Sequence, residues 1–165
     1  MPPRRSLLSL TAILLILSAG PAFADWKYLA PGNGDQNVHR AFAFAEKSDD
    51  RLEFACNANR RDLFFSSAQT VSKPDLDRLK AGEPTILIHI EGVGVVPLDA
   101  QDAYQRNGRL IFVTAVKPAL ITDLGKASQP IAAGMRAGGE IIRQGVFPTQ
   151  GLQAALGALA AGCGF

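Results

Sequence analysis

Thr85-Ile86-Leu87-Ile88-His89-Ile90-Glu91 is the stretch that decides the fold. Ile86, Ile88 and Ile90 recur at every second residue, so they line one face of a strand, and Leu87, His89 and Glu91 line the other. Pro84 opens the strand, and Gly92 to Leu98 is expected to continue it after a bend. The same alternation marks Leu52-Glu53-Phe54-Ala55-Cys56, where Leu52, Phe54 and Cys56 share a face. His39 to Glu46 alternates large and small residues, with Phe42 and Phe44 set against Ala41, Ala43 and Ala45. Ser48-Asp49-Asp50 and the polar run Asn57 to Arg61 connect these segments, and Leu63 to Ser66 returns. Together they predict a three-stranded meander.

Outward from these strands the chain stays β-rich. Trp26 to Leu29 reads as a short first strand, followed by turn chemistry over Ala30 to Asp35. Asn107-Gly108 is a two-residue hairpin signal leading into Leu110 to Val116. Gly138-Gly139 joins Ile131–Arg136 to Glu140–Phe147 in the same way. Helical signals are fewer. Pro74 starts a turn carrying Leu76 and Leu79, and Gly82 ends it. Ala119 to Ala127 forms a short helix with Leu120, Ile121 and Leu124 packed. Leu152, Ala155, Leu156 and Leu159 then form the buried stripe of a final helix, with Thr149 as its N-cap and its end near Gly162. Helices do not alternate regularly with strands, which excludes a doubly wound parallel sheet. The expected architecture is mainly β with a C-terminal helix (α+β): an antiparallel β-sandwich or a curled sheet, clasped by the last helix.

Residues 1–24 carry the marks of an export signal. Arg4 and Arg5 precede the apolar run Leu7 to Leu17, and Ala22-Phe23-Ala24 is a small-x-small cleavage site. The run is short for a membrane span, which needs about 20 apolar residues. Arg4-Arg5-Ser6-Leu7-Leu8 also has a twin-arginine look. Cleavage after Ala24 is expected to leave one domain over 25–165 in the periplasm or the medium of a bacterium, with no further membrane span. The full chain has 17 basic and 15 acidic residues, and losing Arg4 and Arg5 brings the balance to zero. The basic character belongs in part to the signal and does not point to a nucleic-acid partner.

An exported chain with two cysteines, Cys56 and Cys163, is expected to pair them. Cys163 lies four residues beyond Leu159, on the buried stripe of the last helix, and Cys56 lies on the apolar face of its strand. A catalytic or metal-bound thiol is the rival reading. Neither cysteine sits in Cys-x-x-Cys, and His39 and His89 have no ligand-like spacing to them.

Motifs for chemistry are sparse. Gly92-Val93-Gly94 lacks the third glycine of a dinucleotide fingerprint, and there is no Gly-x-Ser-x-Gly or phosphate-binding Gly-Lys-Ser/Thr. No cofactor is expected. Asp99-Ala100-Gln101-Asp102 lacks the glycine and closing glutamate of a calcium loop, and His39 has no nucleophile nearby in sequence. His89 and Glu91, two apart on one face, form a candidate polar patch. Arg60 and Arg61, at the tip of a predicted hairpin, could grip a carboxylate or phosphate, or merely solubilise the turn. Trp26 either covers one end of the core or anchors recognition.

Several stretches resemble a broad group of small bacterial periplasmic proteins of unknown function, of an alphaproteobacterial type. They are Leu52-Glu-Phe-Ala-Cys56 with Arg61-Asp-Leu-Phe-Phe65, the strand Ile86 to Gly92, and the tail Gly145-Val-Phe147, Gly151-Leu152, Ala155-Leu156, Leu159 and Cys163. Some of that group are labelled invasion-associated or accompany type VI secretion. The resemblance implies a periplasmic domain and supplies no catalytic residue. The expectation is a non-enzymatic accessory or binding domain that contacts another periplasmic or envelope protein. The alternatives are an envelope hydrolase assembled from His89, Glu91 and Asp102, and an enzyme inhibitor using the loops at 57–61 or 99–108. Oligomeric state is left open.

Overall fold

The computed structural model describes residues 25–32 and 37–165. The predicted signal at 1–24 and part of the predicted turn at 30–35 lie outside them. The described chain begins with β1 (Lys27–Leu29), β2 (His39–Phe44), β3 (Arg51–Cys56), β4 (Arg61–Ser67) and α1 (Lys73–Ala81). It continues through β5 (Thr85–Ile90), β6 (Gly94–Asp99), β7 (Asp102–Arg106), β8 (Arg109–Ala115) and α2 (Pro118–Leu124), and closes with β9 (Ile131–Ala137), β10 (Glu140–Phe147) and α3 (Leu152–Cys163). The strands form two antiparallel sheets. One has the order β1-β2-β3-β4-β8-β7 and the other β10-β9-β5-β6.

Turn chemistry sets this topology. Asn107 and Gly108, and Gly138 and Gly139, all have positive φ, as two-residue hairpins demand. The bend expected after β5 is a full reversal. Gly92 and Gly94 have φ of 77° and 94°, and Val96 comes back to pair with Ile88. β6 is therefore a separate edge strand and not a continuation, and Pro97 suits such an edge. Ser72 caps α1 by accepting from the Asp75 amide, and Gly82 ends the helix as expected. The N-cap of α3 differs from expectation. Gly151 occupies it at φ 74°, while Thr149 accepts from the Leu152 amide through its carbonyl. The cause is tertiary. The Trp26 backbone lies against this turn, its amide donates to Gln150 O at 3.0 Å, and a Cβ on Gly151 would stand 2.9 Å from Trp26 O.

The sheets face one another, which decides for a sandwich over a curled single sheet. Leu52, Phe54, Leu63, Phe65 and Phe112 from the larger sheet meet Ile86, Ile88, Ile131, Met135 and Phe147 from the smaller, and all are essentially inaccessible. Phe65 and Phe147 meet edge to face across the gap, centroids 5.9 Å apart. α3 lays Leu152, Ala155, Leu156 and Leu159 on this core. Cys56 and Cys163 form a disulfide with Cα atoms 6.1 Å apart, so the last helix is tied to β3. At the β2–β3 turn, Asp50 is wholly buried and accepts from Arg143 Nε at 2.7 Å and Ser48 Oγ at 2.8 Å, which locks the turn to β10. Among the described residues no helix is long and apolar enough to cross a membrane.

Candidate protein-binding face

β2 shows how the candidate face arises. Its alternation places Ala41 and Ala43 inward at no exposure and turns Arg40, Phe42 and Phe44 outward. The small residues are on the inside because α3 packs there, and a phenylalanine under the helix would hold it off the sheet. Register carries this parity across the sheet. Phe42 pairs with Glu53, Glu53 with Phe64, and Phe64 with Val113. In the next row Phe44 pairs with Arg51, Arg51 with Ser66, Ser66 with Ile111, and Ile111 with Tyr104. The opposite sheet and α3 pack on the inner side, and α1 runs beside the edge strand β7, where Lys80 meets Asp102 at 3.1 Å. Among the described residues no helix or second sheet packs on the outer surface of the six-stranded sheet, which is a layer of aromatic, aliphatic and arginine side chains.

Glu53 organises its centre. Its carboxylate accepts from Arg40 Nη1 at 2.6 Å and lies 2.5 Å from Arg51 Nη2. The Arg51 guanidinium also lies over the Phe42 ring, 4.0 Å from its centroid. Held flat in this way, the long side chains bury their neighbours. Glu53 is 8% exposed and Val113 6%. Burial lowers the pKa of Arg51 against the pull of Glu53, and nearby Arg40 and Arg109 push the same way. The Tyr104 phenol is raised, chiefly by desolvation. Arg109 is anchored by donating to the Ser66 carbonyl at 3.1 Å and to the Asp49 carbonyl. At one end of the face, Arg60 on the hairpin turn donates to Asp62 at 2.7 Å, which raises its pKa.

The residues singled out from sequence are dispersed. Trp26 is in the core, 5% exposed, with its ring 6.1 Å from Phe54 and its indole donating to Pro148 O at 2.7 Å. It seals one end of the sandwich and presents no ring to a partner. Arg60 is exposed on its turn, but Arg61 is the first residue of β4 and points inward, with its guanidinium 4.7 Å from the Phe165 ring centroid. The two arginines face opposite sides of the sheet and form no joint clamp. His89 is exposed on the outer face of the smaller sheet between Val95 and Ala132. Glu91 does not share that face. The chain has already turned, and its carboxylate accepts from Ser128 Oγ at 3.2 Å. Asp102 lies on the other sheet. His39 is engaged with the Tyr28 hydroxyl at 2.6 Å, packed so closely on α3 that a Cβ on Gly162 would stand within contact of its ring.

Concave sites are shallow. One, about 470 Å³, lies between the β2–β3 turn and β10 and is lined by Lys47, Ser48, Arg143 and Gln144 among others, and another of about the same volume lies beside His39 and the end of α3. Among the described residues, His, Cys, Asp and Glu side chains do not gather in groups of three that could hold a metal ion.

The outer aromatic–arginine face escaped sequence reasoning because alternation marks two faces without saying which is inside. A signal was present: Arg40, Phe42 and Phe44 fall at one parity, so whichever face holds the arginine holds both rings. No protein-family model, no characterised protein and no solved structure matches this chain.

Proposed function

We propose that this chain is an exported accessory domain of the bacterial envelope that works by binding another protein and catalyses no reaction. The observation that carries the reading is where its apolar surface lies. Leu29, Phe44, Val93, Val95, Ile141 and Val146 are large apolar residues that remain exposed, and they sit on or beside the outer faces and edges of the two sheets. Apolar groups concentrated on broad faces are what protein contact uses. A hydrolase would need an acid, a base and a substrate cleft together. His89, Glu91 and Asp102 stand instead on a sheet face, a turn and the opposite sheet. The export marks at 1–24 and the resemblance to small periplasmic proteins agree with this reading, and the tie between Cys56 and Cys163 suits an oxidising compartment.

The test is co-purification of the full chain from the cells that export it, after brief amine cross-linking. A single stoichiometric protein partner is expected. Turnover of peptidoglycan or ester substrates by the purified chain, abolished by His89→Ala, would overturn the reading.

A further inference from the structure

We infer that the outer face of the six-stranded sheet is the docking surface, and that its occupant is a protein surface with an apolar centre and an acidic border. The inference rests on the binding role proposed above and goes on to name the face and the chemistry of the partner.

Composition singles out this face. It holds Phe42, Phe44, Phe64 and Tyr104 together with Arg40, Arg51, Arg106 and Arg109. Aromatic residues and arginine are the types most enriched where binding energy concentrates. The outer face of the smaller sheet is also apolar, but it offers aliphatic side chains over Ala132 and Gly134, with His89 and Arg136. The larger face is also preorganised. Glu53 holds the Arg40 and Arg51 heads in place, and the Phe42 ring supports Arg51, so little side-chain freedom remains to be lost on binding.

Charge gives the partner's character. Lys27 joins the four arginines, while the carboxylates on the face are Glu53, Asp62 and Asp102. Those carboxylates are engaged by Arg40 and Arg51, by Arg60, and by Lys80. Lys27 and Arg106 are exposed on opposite edge strands, so positive charge borders the aromatic centre on both sides. Residues 25–165 are neutral overall, so this border is a local excess that an acidic rim would complement. Strand and side-chain spacings make the face roughly 24 Å by 20 Å, or roughly 500 Å² before side-chain relief. A standard interface uses about 800 Å² per partner, so a transient complex is expected.

The test places a photoreactive benzoylphenylalanine in the full chain, at Phe44 or Leu29 on this face and at Val95 or Ile141 on the opposite sheet, and irradiates the exporting cells. Adducts with one protein from positions 44 and 29, and not from 95 and 141, are expected. That protein, purified, should bind more weakly as salt is added, and Lys27→Glu with Arg106→Glu should weaken it about tenfold or more at unchanged thermal midpoint. Adducts only from 95 and 141 would overturn the face and leave the binding role standing. Adducts from no position would sink both. A second copy of this chain, a lipid or a glycan in the adduct would overturn the stated occupant. So would a partner whose affinity ignores both charge reversals.

Discussion

Cutting the Cys56–Cys163 bond should lower stability by an amount that its place in the chain sets in advance. The bridge spans 107 positions. In the chain-entropy account, closing a loop of that size removes about 4.8 kcal/mol of freedom from the unfolded chain at 25 °C. A folded unit of roughly 140 residues unfolds with an entropy of about 0.3 kcal/mol/K, so the thermal midpoint should fall by about 16 °C. Cys56→Ala and Cys163→Ala should fall by similar amounts, because both residues are buried and each change opens the same loop. The double variant should be little worse than either, since the second change removes no further bond. The assay is thermal unfolding followed by circular dichroism, on the oxidised protein, on protein reduced and alkylated at both sulfurs, and on the three variants. A fall below about 4 °C on reduction would refute the reasoning, as less than about a quarter of the loop term would then be acting. Strict additivity of the two alanine variants would refute it as well.

Three further outcomes follow from particular residues. Gly151→Pro should be severely destabilising, because proline holds φ near −65° where the chain needs 74°, and Gly151→Ala should cost more than the about 1–2 kcal/mol of the left-handed backbone, because its Cβ would also stand 2.9 Å from Trp26 O. Urea unfolding of both variants checks this, and an unchanged midpoint for Gly151→Pro would exclude the turn described. Leu156→Asp should yield no folded protein, because it places a charge without a partner at a site 3% exposed, and a soluble product with the native midpoint would put that helix face elsewhere. Tyr104 should make stability fall in alkali. Its folded pKa lies above the ordinary 10.0, so its contribution is complete below that value and is lost as pH rises through the folded pKa. Tyr104→Phe should flatten the decline in urea midpoint measured from about pH 9 to pH 11 relative to the parent chain.

By itself the sequence determined the strands whose two faces differ in polarity. β3 and β5 declare themselves through period-two alternation, and the turns before β8 and β10 through Asn107-Gly108 and Gly138-Gly139. It also determined the buried stripe of α3 and, with one possible pairing, the link from Cys163 to Cys56. These are local properties, since a strand's period and a turn's backbone angles need no knowledge of the rest of the chain. β6 and β7 were harder to read, because edge strands such as Asp102–Arg106 carry polar residues on exposed positions and lose the alternating signal. Tertiary structure alone decided the rest. It put the alanines of β2 under α3 and so sent Phe42 and Phe44 outward, it placed Glu53 between Arg40 and Arg51, and it separated His89 from Glu91 by one turn of the chain. Which face of an alternating strand is buried depends on what packs against it, and that partner arrives from more than a hundred residues away.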